Sequence, residues 1–383
     1  MVFDAFCAHD LEGMPVSDFY TRPNALYRGS RLVRPGLSLL LLVSLHSMGC
    51  LWVDFVGQAI SGQVDLMTRG QPIDELVLSP STPDKLKRWL SEVKPIKEFA
   101  GERGLRISSN YERYIELEED SVIWLVTASK PFEFSPKVWD FPIAGSFPYQ
   151  GWFDLADAQK RQEALSEQGW DAYIRGASAY STLGWFSDPL LSSMIDRGGA
   201  PIGRLVNTVL HESVHATIYV PGQGHFNESV ATFIGDALTP VYLEERFGPN
   251  APETRRYRRR VRRAELKRRH IRQAFDELSK LFGSKIERES MRQKKEAIYQ
   301  DLAEKLGSSR ELNNGFLVDF QTYRADLASL SLILENCENN WPNFIRFLRT
   351  IKSGDFLTEQ TKDLGPFFTE LAQQNCRVES SSR

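Results

Sequence analysis

Apolar residues recur along most of this chain at the three-to-four-residue spacing of an α-helix, and alternate with polar ones only in short stretches. The cleanest helical stripe is Ile202, Leu205, Val206, Val209, Leu210, Val214 and Ile218. Pro201 opens it at a first helical position, where a missing N–H removes no hydrogen bond, and Pro221 with Gly222 is expected to stop it. A second helix is predicted from Asn227, whose side chain is placed to cap it. Its core stripe is Val230, Phe233, Ile234 and Leu238, while Ala231, Thr232 and Gly235 make a small-residue face that lets the first helix approach closely.

Upstream, Thr82 and Pro83 predict the cap and first residue of a helix that breaks or kinks near Pro95. The segment 121–128 (SVIWLVTA) is rich in β-branched residues and reads as a strand, and 139–153 is aromatic and punctuated by Gly and Pro. Ser187, Asp188 and Pro189 predict the cap of a short helix. Downstream, Val261, Ala264, Arg268, Ile271, Phe275, Leu278 and Phe282 form a long helical stripe, so about 252–307 is expected to fold as an antiparallel helix pair.

The fold class is therefore α+β and predominantly helical, with a small mixed sheet and a helical C-terminal part. Beyond residue 49 roughly 330 residues remain, enough for one large domain, and no internal repeat divides them. Hydrophobic content of 42% and charged content of 25% are ordinary for a globular protein. The net charge of -3 sets up no global field that would select a partner. Locally, 255–272 carries eleven Lys and Arg and one acid, Glu265. This run reads first as the solvated face of a helix pair, and second as a contact for anionic lipid headgroups. It lacks interleaved aromatics beyond Tyr257, so nucleic acid is not an expected partner.

The candidate chemistry lies on the cleanest helix. His211, Glu212 and His215 form the pattern His-Glu-x-x-His, which puts both imidazoles on one helical face within reach of one metal ion. Glu212 sits beside that face, where a carboxylate can act on a water molecule. About one chain in a hundred of this length would carry the pattern by accident, and its placement on an amphipathic helix sharpens it. Two His and one carboxylate with a fourth position open to water is the catalytic zinc arrangement. The metzincin position six residues after His215 is Pro221, which excludes that class. His225 follows the turn and is expected to line the cleft mouth. Glu228, near the start of the second helix, is the expected third ligand.

His-Glu-x-x-His followed by Asn-Glu at a second helix resembles the gluzincin metallopeptidases, in which that Glu completes the zinc site. Twelve residues separate His215 from Glu228, a short connection for the group. That short turn is similar to a narrower family, the bacterial putative aminopeptidases of the envelope. Further matching stretches are GQVDL at 62–66, PIDE at 72–75, FPIAG at 141–145, YQGWF at 149–153, AYSTLGWFSDPLL at 179–191, and Asn313 and Asn314 followed by Tyr323. The resemblance runs from Cys50 to about residue 350.

It implies a zincin-like domain with Zn2+ as cofactor, a peptide substrate and aminopeptidase activity. It also implies an oxyanion donor beside the metal, for which Tyr323 is the first candidate and Tyr180 the second, each against an ordinary core tyrosine. Asn313 and Asn314, with His225, are the expected substrate contacts. Relatives carry cysteines flanking the Phe-Pro-x-x-Gly segment, where this chain has Asp140 and Ser146, so no disulfide is expected there. Peptidases of the group lay substrate along an edge strand, for which 143–153 is the candidate, with an ordinary hairpin as the alternative. Two other functions stay open: a zinc amidase on a cell-envelope substrate, and a catalytically silent zinc-binding module. The intact Glu212 argues against the second, since a structural site needs no general base.

The N-terminus reads as an export signal. Arg28, Arg31 and Arg34 precede the apolar run 37–45, and Met48, Gly49 and Cys50 follow. This resembles a bacterial lipoprotein signal, cleaved before Cys50 with lipid attached to its sulfur. Ser47 stands where an aliphatic residue is usual, and the leader is long. An uncleaved anchor over 35–53 and a buried core helix are the alternatives. The expected organisation is a leader at 1–49 and one domain at 50–383, held in the cell envelope by the lipid or the apolar segment and facing the periplasm. Cys337 and Cys376 are able to pair in an oxidising compartment.

Overall fold

The structure, a computed structural model, describes residues 68–119, 121–141, 145–178, 187–195, 199–321, 327–359, 361, 363–374 and 376. It begins with β1 (Gln71–Pro72) and α1 (Ile73–Leu78). The next helix, α2 (Asp84–Leu90), starts one residue later than expected. Pro83 has an extended ψ of 137° and takes the cap position itself, and Thr82 supplies no cap. The break expected near Pro95 falls at Ser91 and Glu92, and α3 (Val93–Glu102) carries Pro95 in its first turn, where no N–H is needed.

After β2 (Arg113–Ile115), the strand expected at 121–128 is β3 (Ile123–Ser129), buried along its whole length. Its polar/apolar alternation is poor because both faces are covered. Trp124, Val126 and Ala128 join one core cluster, whereas Ile123 and Leu125 join another. The expected 143–153 strand is two elements. After β4 (Trp139–Phe141), β5 (Gly145–Phe147) pairs antiparallel with it, while β6 (Tyr149–Trp152) pairs antiparallel with β3. Asp140 opposes Ser146 in the first pair, so the two positions that flank the segment 141–145 are cross-strand neighbours.

α4 (Leu155–Glu167) is capped by Asp154, which accepts from the Asp157 N–H at 3.0 Å, and it covers the Trp124 side of β3. β7 (Asp171–Ala177) completes a sheet of order β6-β3-β7. A short helix is expected after Ser187, but among the described residues no α-helix follows it before Pro201. The Asp188 N–H instead donates to the Asn110 side-chain oxygen, its carbonyl accepts from the Tyr111 N–H, and the chain leads into β8 (Leu190–Leu191), followed by one 3₁₀ turn, Ser192–Met194. β1, β2 and β8 form the second small sheet.

The rest of the described chain is helical. α5 (Pro201–His215) and α6 (Gly224–Phe247) carry the candidate site, and α7 (Pro252–Phe282) with α8 (Arg288–Leu306) is the expected helix pair. The stripe predicted for α7 is not continuous, because the 19-residue α8 covers only the second half of the 31-residue α7. There Ile271, Ala274 and Leu278 pack with Tyr299 and Leu302, while Val261 is 37% exposed. α9 (Asn314–Gln321) packs on β3 and β7, and α10 (Leu327–Asn336), α11 (Trp341–Leu348) and α12 (Gly365–Gln373) close the main core. A disulfide joins Cys337, after α10, to Cys376, after α12. No described helix is long and apolar enough to cross a membrane. The expected leader, the apolar run 37–45 and Cys50 lie outside the described residues, as do Tyr180 and Tyr323.

Candidate metal centre

α5 is buried on nearly every side, and α6 runs antiparallel against it: Asn207 meets Asp236 and Thr239, His211 meets Gly235, and His215 meets Glu228. The close approach depends on the small-residue face read from the sequence. A Cβ added at Gly235 would lie 3.4 Å from Asn207 and 3.5 Å from the His211 Cβ, so anything much larger than alanine would separate the helices.

The turn that sets the register differs from expectation at both ends. α5 stops at His215, six residues before Pro221, with the Ala216 N–H still bonded to the Glu212 carbonyl. α6 starts at Gly224, so Asn227 is interior to the helix and does not cap it. Its buried amide faces back across the turn, accepting from the Val220 N–H at 2.8 Å and donating to the Val220 carbonyl at 3.0 Å. Gln223 ties the same turn to the distant chain, donating to the Thr358 carbonyl and accepting from the Thr361 N–H. Phe226 anchors the first turn of α6 among Phe356, Phe367 and Phe368. These contacts fix where Glu228 points.

The result is a compact donor cluster. The His211 and His215 Nε2 atoms are 3.1 Å apart, and the Glu228 carboxylate lies 3.4 Å from the first and 3.2 Å from the second. One ligand atom from each residue lies within 4.8 Å of the others, and all three residues are buried. Burial holds the His211 imidazole below its ordinary value. Burial pushes the Glu228 carboxyl up, but the facing imidazoles outweigh it and hold that group below its ordinary value. Both groups are thus in the deprotonated form that a metal ion requires. Neither buried Glu228 oxygen has a hydrogen-bond partner among the described residues. Two orphaned carboxylate oxygens facing two imidazole nitrogens would be costly without a cation between them. The residues fit a metal ion. Glu212, 3% exposed, lies on the same helix next to His211.

The expected substrate contacts fare differently. His225 falls in the first turn of α6, half-buried, inside the helix that was expected to begin after it, and it is not part of the ligand cluster. Asn313 donates to the Ala172 carbonyl and accepts from the Gly315 N–H. Asn314, fully buried, donates to the Lys130 carbonyl and accepts from the Tyr299 hydroxyl at 2.6 Å. Asn313 thereby holds the start of α9 against β7, and Asn314 holds it against the loop at 130–133 that follows β3.

A supporting layer behind His211 went unread in the sequence. One turn before it, Asn207 donates to the Asp236 carboxylate at 3.1 Å and lies 3.4 Å from the Thr239 and Tyr257 hydroxyls. Burial, and then the Asp236 charge, push the Tyr257 phenol up, so it stays protonated. The Tyr257 ring fits against α5 because Gly203 has no side chain there. The readable signal is a polar Asn four residues before His211, one turn back on the same helical face.

Two imidazoles and a carboxylate, brought together by two packed helices of an α+β domain, define a protein able to hold a metal ion at a buried centre. The chain belongs to the family described as Putative aminopeptidase, whose model matches residues 54–363, well over half of its length. The family's description implies a peptidase. No curated protein and no solved structure matches the chain.

Proposed function

We propose that the protein is a zinc-dependent aminopeptidase of zincin-like fold, with His211, His215 and Glu228 as metal ligands and Glu212 as general base. The observation that carries this reading is the buried cluster itself, which leaves two Glu228 oxygens without hydrogen-bond partners and sets Glu212 next to a ligand. Zinc suits two nitrogens and one oxygen, and when bound it supplies a Lewis acid that polarises a peptide carbonyl and acidifies water. Glu212 then takes the proton from the attacking water and delivers it to the leaving nitrogen. Tyr323 is proposed to donate to the developing oxyanion, with Tyr180 as the second candidate. A lipid-anchored location outside the cytoplasm fits the Cys337–Cys376 disulfide, because such bonds persist in oxidising compartments.

Purified protein should contain about one zinc per chain, lose peptidase activity to a chelator and regain it with zinc. Glu212→Gln should keep the metal and lose about two to four orders of magnitude in turnover. Near wild-type activity in that variant would sink the mechanism. Cleavage of N-terminally blocked peptides as fast as free ones would sink the aminopeptidase assignment while leaving the peptidase standing.

A further inference from the structure

The exposed side of α7 carries a stripe that neither the metal centre nor the peptidase reading uses. At about 100° per residue, Arg255, Arg259, Arg262, Arg263 and Arg269 fall on one helical face with Leu266 at its middle. All five arginines are exposed, and Leu266 is 54% exposed. The stripe covers roughly 21 Å of helix axis. The other side of the helix is committed to the protein, by Tyr257 against Gly203 and by Ile271, Ala274 and Leu278 in the cluster shared with α8. The stripe cannot turn inward.

Its charge is largely uncompensated. Among the described residues, Arg255, Arg259, Arg262 and Arg263 form no ion pair, and the acid within the run, Glu265, serves Arg268 and Arg269. Eleven basic residues and one acid give 255–272 a charge of +10, so with a total of -3 the remainder of the chain carries -13. The molecule has a positive pole on a negative body.

We propose that this face docks the protein onto anionic phospholipid headgroups. A headgroup surface is a lattice of phosphates without register, which a rigid row of guanidinium groups meets along its whole length. Each arginine near such a surface is worth roughly five-fold in partitioning. Nucleic acid fits the same charge less well. The stripe holds no aromatic or amide side chain to read or stack on bases, and its central residue is an exposed leucine suited to the acyl boundary. This docking is independent of the peptidase reading and would act beside any N-terminal anchor to fix the orientation of the domain.

The test uses the full chain carrying Cys50→Ala, floated with vesicles of phosphatidylcholine alone or mixed with phosphatidylglycerol. Binding to the mixed vesicles should be at least about ten-fold stronger and should fall as salt screens the contact. The triple variant Arg255→Glu, Arg259→Glu and Arg263→Glu should lose that increment while keeping whatever binding the N-terminal apolar run gives to neutral vesicles. Arg255→Gln, Arg259→Gln and Arg263→Gln should lose part of it with an unchanged melting temperature, which separates lost charge from lost fold. A dye on Leu266→Cys should shift to the blue only with anionic vesicles. Equal binding to both vesicle types overturns the proposal. So does an increment that survives charge reversal, or a reversal that abolishes binding to a short nucleic-acid duplex while leaving the vesicle increment intact.

Discussion

His211 and Glu228 show how burial and charge act against each other on single side chains. Burial disfavours the charged form of each, so it lowers the imidazole and raises the carboxyl; in Glu228 the imidazoles across from it reverse the outcome. Both folded values therefore lie below the ordinary ones of 6.5 and 4.5. In the metal-free protein, the unfolded chain then binds more protons than the folded one just below each ordinary value. Stability is full above 6.5, falls as pH drops through the window set by His211, and falls again below 4.5 as Glu228 titrates. Denaturant unfolding of chelator-treated protein across this range should show both stretches, with the upper one flattened in His211→Gln. A flat profile between the two ordinary values in the unsubstituted protein would contradict the depressed imidazole.

At the scale of elements, the site is a contact between two helices, and glycines set how close they come. Gly203 and Gly235 make opposite predictions. Alanine gains about 1 kcal/mol over glycine in a helix interior. At Gly235 the added Cβ meets its neighbours at 3.4 to 3.5 Å, ordinary contact, so Gly235→Ala should be neutral or slightly stabilising. At Gly203 the Cβ would sit 2.5 Å from the Tyr257 ring, and overpacking of about 1–3 kcal/mol outweighs the helix gain. Equal melting temperatures for the two variants would mean that α7 yields freely. The same helices show what the sequence made legible. His211, His215 and Glu228 were readable because helical periodicity alone places the histidines on one face and a short turn brings the next carboxylate back. The turn itself was misread: a Pro-Gly pair signals where a helix cannot continue, not where it ends, and an Asn near a helix start looks like a cap even when its amide grips Val220 from inside the helix. That β7 and the loop at 130–133 take up the amides of Asn313 and Asn314 is not legible either, because nothing local reveals these partners.

Over the whole molecule, the candidate metal centre depends on chain far beyond the motif. The turn before Glu228 is held by Gln223 through Thr358 and Thr361, by Ser353 donating to the Pro221 carbonyl at 2.8 Å, and by Phe226 packed on Phe356, Phe367 and Phe368. All of these partners lie between Cys337 and Cys376, inside the loop that the disulfide closes. With a sequence separation of 39 between the cysteines, closing this loop restricts the unfolded chain by up to about 4 kcal/mol. Opening it should therefore do two things. The protein should lose about 2–4 kcal/mol of stability when Cys337 and Cys376 are both replaced by serine. Because the clamp on Gln223 and Phe226 is part of the freed segment, Glu228 should also be held less firmly, and zinc affinity should fall by about ten-fold or more, as when a supporting contact behind a ligand is lost. Chemical denaturation and a competitive zinc chelator read the two effects separately on the same variant. A loss of stability with unchanged zinc affinity would show that the α5–α6 contact positions Glu228 without the C-terminal segment.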